Sequence, residues 1–316
     1  MNRLGLIKNN IIWIVFGSAF FYIVFILYSD ASEISDNFLN VRIELVFPVF
    51  LLILISHMIK SIRQKEFLCL LGEKISFKHN LIIYMAGMSM ISTPGGVGMF
   101  IKSHFLKKKF QIKTNKSFSV IFLERFHDLL AVTCIVIFSL IAAFSLISTT
   151  LVIISCILLI GIYLSITNLN IFSFILRKLS TIEFLRKKIS GIGPNESFAI
   201  LTQPKAMTKG WITSISGWSL DSLAVYVGFL AFNVDLGYLL TSQIYFTSLG
   251  YGVLSLMPGG IGVTEGIADY LLVQQGLNLS VASSLVVFTR LATMWFATII
   301  GVIFTRFALK QKIDIS

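Results

Sequence analysis

The stretch LIIYMAGMSMISTPGGVGMFIKSHFLKKKFQIKTNK, residues 81–116, decides the fold. Residues 81–101 are apolar enough to enter a bilayer, and their length matches the ~20 residues a spanning helix needs. They also contain Pro94, Gly95, Gly96 and Gly98 in one cluster. Proline lacks a backbone N–H and glycine weakens a helix, so one unbroken helix cannot run through this segment. Before it lies a loop with Lys60, Arg63, Lys65, Lys74 and Lys78, and after it come Lys102, Lys107, Lys108, Lys109, Lys113 and Lys116. Basic residues collect on the cytoplasmic side of membrane proteins. A segment with basic loops at both ends therefore enters and leaves by the same face, turning at Pro94-Gly95-Gly96.

The rest of the chain fits a membrane setting. Its 316 residues are 56% hydrophobic and 13% charged, with a mean hydropathy of +0.86, which excludes an ordinary soluble domain. Apolar runs occupy Ile11–Tyr28, Leu45–Ile59, Leu81–Ile101, Phe118–Ile147, Leu151–Thr167, Trp211–Phe232, Leu236–Met257 and Val281–Phe307. The first follows Arg3 and Lys8 and reads as a retained signal anchor. Asp30, Glu33, Asp36 and Glu44 place the next loop outside, and the linker near Ser148–Thr150 is an external turn. Residues 168–210 mix basic residues with Phe172, Phe174 and Ile175, which predicts a cytoplasmic amphipathic linker. By this topology both termini are cytoplasmic. Of 26 Lys and Arg, only Arg42 is external, and only Arg125 and Arg290 lie well within the membrane. The net charge of +11 is thus topological and does not imply nucleic acid. The three cysteines and four histidines show no ligand spacing, so neither a metal nor a cofactor is expected.

Pro258, Gly259, Gly260 and Gly262 repeat the cluster inside Leu236–Met257 and its continuation to Gln275, a segment that enters from outside. The step from Pro94 to Arg125 is 31 residues and that from Pro258 to Arg290 is 32. The expected fold is an all-α polytopic membrane protein, a single transmembrane domain over residues 1–316. It has about six full spans and two re-entrant broken-helix hairpins forming an inverted repeat, with halves around 81–147 and 236–307. Paired interrupted segments of opposite orientation are the architecture of alternating-access carriers.

Ionisable groups within spans cost roughly 2.5–3.5 kcal/mol each and call for partners or a function. Glu124, Arg125 and Asp128 open the fourth run, Asp221 lies in the sixth, Glu265 and Asp269 share a helix face after the second motif, and Arg290 lies in the last span. Arginine offers a planar donor fork that suits phosphate. Arg125 and Arg290 are accordingly candidates to hold a lipid phosphate, and the carboxylates to pair with them, contact a cationic headgroup or carry protons. His127 beside Asp128 is a candidate relay. Motif glycines serve close helix packing or expose N–H groups to an anion, the second role being favoured near Arg290.

Leu256-Met257-Pro258-Gly259-Gly260-Ile261-Gly262-Val263-Thr264-Glu265-Gly266, together with Glu124-Arg125 opening a span after a basic loop, resembles the transmembrane flippase-like domain of lysylphosphatidylglycerol synthases and its stand-alone relatives. The resemblance implies a lipid translocase domain of the cytoplasmic membrane with arginine and acidic residues in an intramembrane cavity. It also implies no lysine transfer, because the chain ends at Ser316 without the soluble aminoacyl transferase domain. Where the family carries an acidic or polar residue soon after the first motif, this chain has Met99-Phe100-Ile101-Lys102. The leading expectation is a flippase or transporter for a membrane phospholipid or polyprenyl-linked lipid, not an enzyme. An intramembrane enzyme using Glu265 or Asp128 as acid/base, and an accessory subunit of envelope synthesis, stand as alternatives. Homo-oligomers and envelope-synthesis partners stay open.

Overall fold

A polar stripe and an apolar stripe on one helix set the arrangement. The helix Ile43–Leu70 turns Leu51, Ile55, Met58 and Ile62 outward and buries Ser56, His57, Lys60, Arg63 and Gln64. That is the reverse of a water-soluble helix, and it suits a lipid surround with a polar interior. The computed structural model describes residues 31–93, 98–167 and 196–310. The expected span Ile11–Tyr28, the tip residues Pro94, Gly95 and Gly96, and residues 168–195 of the amphipathic linker lie outside the described residues.

In chain order the helices are α1 Ala31–Leu39, α2 Ile43–Leu70, α3 Phe77–Met88, α4 Ile101–Phe110, α5 Thr114–Ser139, α6 Leu146–Thr167, α7 Glu196–Leu201, α8 Pro204–Ala231, α9 Tyr238–Leu254, α10 Val263–Val273, α11 Leu279–Arg290 and α12 Phe296–Lys310. A π-helical turn, Leu291–Trp295, joins the last two. No strand occurs among the described residues. Among the described residues three helical stretches, Ile43–Leu70, Leu146–Ser165 and Leu279–Lys310, are long and apolar enough to cross a membrane by length and composition. Local sequence explains several starts. Ser76 accepts a bond from the His79 N–H, Asn278 from the Val281 N–H, and Pro204 occupies the first turn of α8, where its missing donor costs nothing.

Three boundaries differ from expectation. Helix α2 continues eleven residues past Ile59, through Lys60 and Arg63, because both cations find carboxylates across the interior. The turn between α5 and α6 lies at residues 140–145, ahead of Ser148–Thr150, since the Ser145 hydroxyl accepts from the Ser148 N–H and starts α6 there. Within the stretch expected as a linker, Glu196–Leu201 is helical with Phe198 and Leu201 buried, and α8 reaches back to Pro204.

The helices share two chemically different ends. At one, Lys116 Nζ reaches Leu71 O (2.9 Å) and Glu73 Oε1 (2.6 Å), and Lys209 approaches Glu66 at 3.8 Å. This basic end gathers the C-terminus of α2 with the N-termini of α5 and α8. At the other, the Arg42 N–H donates to Ala231 O (2.9 Å) and Asn37 Nδ2 to Ser284 Oγ (3.1 Å), with Glu33, Asp36 and Glu44 close by in sequence.

The helices flanking each motif approach one another. Helix α3 starts and α4 finishes at the basic end, where the His79 and Phe110 rings lie 5.7 Å apart. Helices α9 and α10 pack together, with Leu236, Leu240, Leu272 and Leu277 in one apolar cluster, and lead into α11 at the acidic end. The two breaks meet: a Cβ placed on Gly259 would lie 3.6 Å from the Ser92 Cβ, two residues before Pro94. Helix α12 closes over the first hairpin, with Gly301 so near the Ser89 backbone that a side chain there has no room.

Candidate functional site

The second motif folds around glycine-only backbone. Gly259, Gly260 and Gly262 have φ of +64°, +69° and +88°, values that a side chain disfavours, and Gly260 lies against the Gly252 backbone. The Gly262 N–H that opens α10 is taken by Glu265 Oε2 at 2.7 Å. That N–H thus meets a carboxylate of its own chain, where the sequence reading favoured an outside anion. The other oxygen of Glu265 accepts from Arg290 Nε at 2.8 Å, and Arg290 Nη2 donates to Gly259 O and contacts Met294 Sδ at 3.1 Å. Glu265 and Arg290 are both buried, so one ion pair fastens the break to the last span. The π-turn begins at the residue after Arg290, a distortion frequent at functional sites.

The first hairpin carries the same fastening with its signs exchanged. Lys102, on the helix after the first motif, places Nζ 2.5 Å from Glu124 Oε2 on the following helix, and both side chains are 0% exposed. Gly87 leaves space for the lysine stem, which an added Cβ would approach to 2.6 Å, and the Tyr84 ring faces the ammonium at 4.9 Å. In the first half the cation follows the motif and the acid sits on the next span; in the second the acid follows and the cation sits beyond.

Between the hairpins α2 supplies two cations. Lys60 Nζ lies 2.5 Å from Asp221 Oδ2 and 3.4 Å from the centre of the Trp218 ring, over Gly217, whose lack of a side chain admits the lysine stem. Trp218 Nε1 donates to Asp128 Oδ1 at 2.9 Å, and Arg63 Nη1 donates to the same oxygen at 2.8 Å and to Ser214 Oγ. Arg125 Nη2 stands 2.8 Å from Asp128 Oδ2, with its own side chain about a third exposed (34%).

Of the residues singled out in the sequence, Glu265 pairs with Arg290, and Arg125 with Asp128. Glu124 and Asp221 are drawn to lysines instead. Asp269 faces Ser283 Oγ at 3.0 Å, a neutral partner. His127 lies between two backbone carbonyls, with Nδ1 2.7 Å from Leu123 O and Nε2 3.2 Å from Met207 O, against Gly210, so its neutral ring donates to one of them. Lys60, Arg63 and Lys102 correct the charge count, because the sequence reading left them in loops and left the buried acids short of cations. That shortage was the available signal: each buried carboxylate needed a positive partner, and Lys60 and Arg63 stand three apart at helical spacing beyond Ile59. Beside Arg290 lies a cavity of about 20 Å³ lined by Tyr245, Ser248, Thr264 and Thr289, room for a water-sized group. Among the described residues no three His, Cys, Asp or Glu side chains gather as metal ligands.

The family model described as Lysylphosphatidylglycerol synthase TM region matches residues 12–301. A UPF0104 membrane protein of Methanocaldococcus jannaschii is 25% identical over 99% of this chain and 98% of its own length. Another, of Pyrococcus horikoshii, is 25% identical over 82% of this chain and 85% of its own. The match to a UPF0104 membrane protein of Methanothermobacter thermautotrophicus is local: 28% identity over 33% of this chain and 30% of that protein.

Proposed function

The chain belongs to the family of lysylphosphatidylglycerol synthase TM regions, and from that premise we propose that it is a lipid translocase of the cytoplasmic membrane. Its cargo is a phosphate-bearing lipid or lipid-linked intermediate, whose headgroup crosses through the polar interior while its apolar chains stay in the bilayer. The observation that supports this reading is the approach of Gly259, in the second motif, to Ser92, two residues before the first, with a buried ion pair of reversed sign following each motif. Broken backbone at membrane depth belongs beside protein or a wet cavity, and inverted pairs of breaks suit alternating access. The basic end faces the cytoplasm, so the first hairpin opens inward and the second outward. Parting Lys102 from Glu124 admits a headgroup from one side; parting Arg290 from Glu265 releases it to the other.

The test is headgroup accessibility in reconstituted vesicles, with a phospholipid labelled on its headgroup and an impermeant quencher outside. Wild-type protein exposes the inner-leaflet label faster than protein-free vesicles, and Arg290→Ala slows that exposure at least tenfold. Equal rates with wild-type protein and without protein overturn the proposal.

A further inference from the structure

Arg63 has a guanidinium edge that the protein does not use. The side chain is fully buried in α2, and its Nη1 serves Asp128 and Ser214. Its Nε and Nη2 are shielded from solvent and have no hydrogen-bond partner. Those two N–H groups form the edge through which arginine grips a carboxylate or phosphate with two parallel bonds. A buried donor without an acceptor is costly, so the edge is suited to a ligand that brings oxygens.

The charges around it point the same way. Lys60 is matched by Asp221, and Lys102 by Glu124. Asp128 alone stands between two guanidinium groups, Arg63 and Arg125, each 2.8 Å away. This triad carries one net positive charge in a setting where an unmatched charge is unfavourable. Arg125 Nε is likewise without a hydrogen-bond partner, and because a third of that side chain is exposed the triad has an open flank. Arg290 differs, since its Nε and Nη2 are engaged by Glu265, Gly259 and Met294. Arg63 also lies seven residues from Leu70, roughly 10 Å in from the basic end of α2 at 1.5 Å per residue.

We propose that Arg63, with Arg125 beside it, forms an internal oxyanion subsite that takes the phosphate of a phosphomonoester or phosphodiester, separate from the Arg290 clamp. Its assignment to a lipid headgroup rests on the translocase reading; the subsite itself rests on the unused edge and the net charge. Asp128 sets its strength by holding both arginines and offsetting one of their charges.

Binding to the whole purified protein in uncharged detergent tests this, with dihexanoyl phosphatidate, inorganic phosphate and dihexanoylglycerol as probes. Phosphatidate binds wild type, and Arg63→Lys, which keeps the charge and loses the two-pronged edge, weakens it at least tenfold. Asp128→Asn, which removes the offsetting charge and keeps an acceptor oxygen, tightens it several-fold. That gain is not a product of damaged folding, so it decides the matter if Arg63→Lys is not recovered folded. Unchanged affinity in Arg63→Lys, weaker affinity in Asp128→Asn, or dihexanoylglycerol binding as tightly as phosphatidate overturns the subsite. Inorganic phosphate binding as tightly as phosphatidate, with the same dependence on Arg63, supports the oxyanion subsite and counts against a lipid source. Phosphatidate binding without vesicle translocation supports the subsite and overturns the translocase.

Discussion

Replacing Glu124 by Gln removes the counter-charge of Lys102 and changes little else in volume. Both side chains are 0% exposed and the lysine stem lies wedged over Gly87, so the ammonium has no path to water. Removing one partner of such a pair costs about 3–5 kcal/mol. The upper bound is set by proton loss: an amine ordinarily keeps its proton to about pH 10.4, so releasing it at pH 7 costs roughly 4.6 kcal/mol. At about 2 °C per kcal/mol for a chain of this size, Glu124→Gln lowers the melting temperature by about 6–9 °C. Heating curves followed by tryptophan fluorescence measure this in detergent. The double variant Lys102→Met/Glu124→Gln removes both charges and regains most of the loss, leaving it within about 2 kcal/mol of wild type. If the double variant falls by the sum of the single effects, the two groups are not coupled and the reasoning about the first hairpin is wrong.

Glu265→Gln strands Arg290 in the same way and lowers the melting temperature by a similar amount; Arg290→Met in the same chain restores part of it. Gly259→Ala forces φ +64° on a side chain and meets Met294 Sδ at 2.9 Å, costing about 2 kcal/mol by thermal unfolding, whereas Gly72→Ala, at φ +81° in open space, costs about 1. Trp218→Phe keeps a ring over Lys60 and loses the indole bond to Asp128, for about 1 kcal/mol; Trp218→Leu loses the ring as well and falls further in the same measurement. Single cysteines placed at Lys74 and Lys108 react with an impermeant maleimide from one side of the membrane and a cysteine at Asp36 from the other; labelling of Lys74 and Lys108 from opposite sides contradicts the first hairpin.

The breaks were legible in the sequence because proline and glycine act locally: the backbone at Gly259, Gly260 and Gly262 needs positive φ whatever surrounds it. The basic and acidic ends were legible too, since charge asymmetry needs no knowledge of contacts. What stayed hidden depends on distant partners. Lys102 reads as the first residue of a basic loop until Glu124, 22 residues on, is seen against it, and Lys60 reads as a loop until Asp221 is placed beside it. The 140–145 turn carries no proline or glycine, and only Ser145 marks where α6 begins.

The polar stripe on α2 has a consequence in time. Lys60 lies 161 residues before Asp221 in the chain, and Arg63 lies 65 before Asp128. At a synthesis rate of 5–20 residues per second, Lys60 waits roughly 8–32 s for its counter-ion after it emerges. Arg63 waits only roughly 3–13 s at the same rate, so for most of that interval the helix holds one unmatched cation, Lys60, which is unfavourable at depth. The pairing of Lys60 thus waits for α8, so the second half of the chain supplies a counter-ion to a helix of the first.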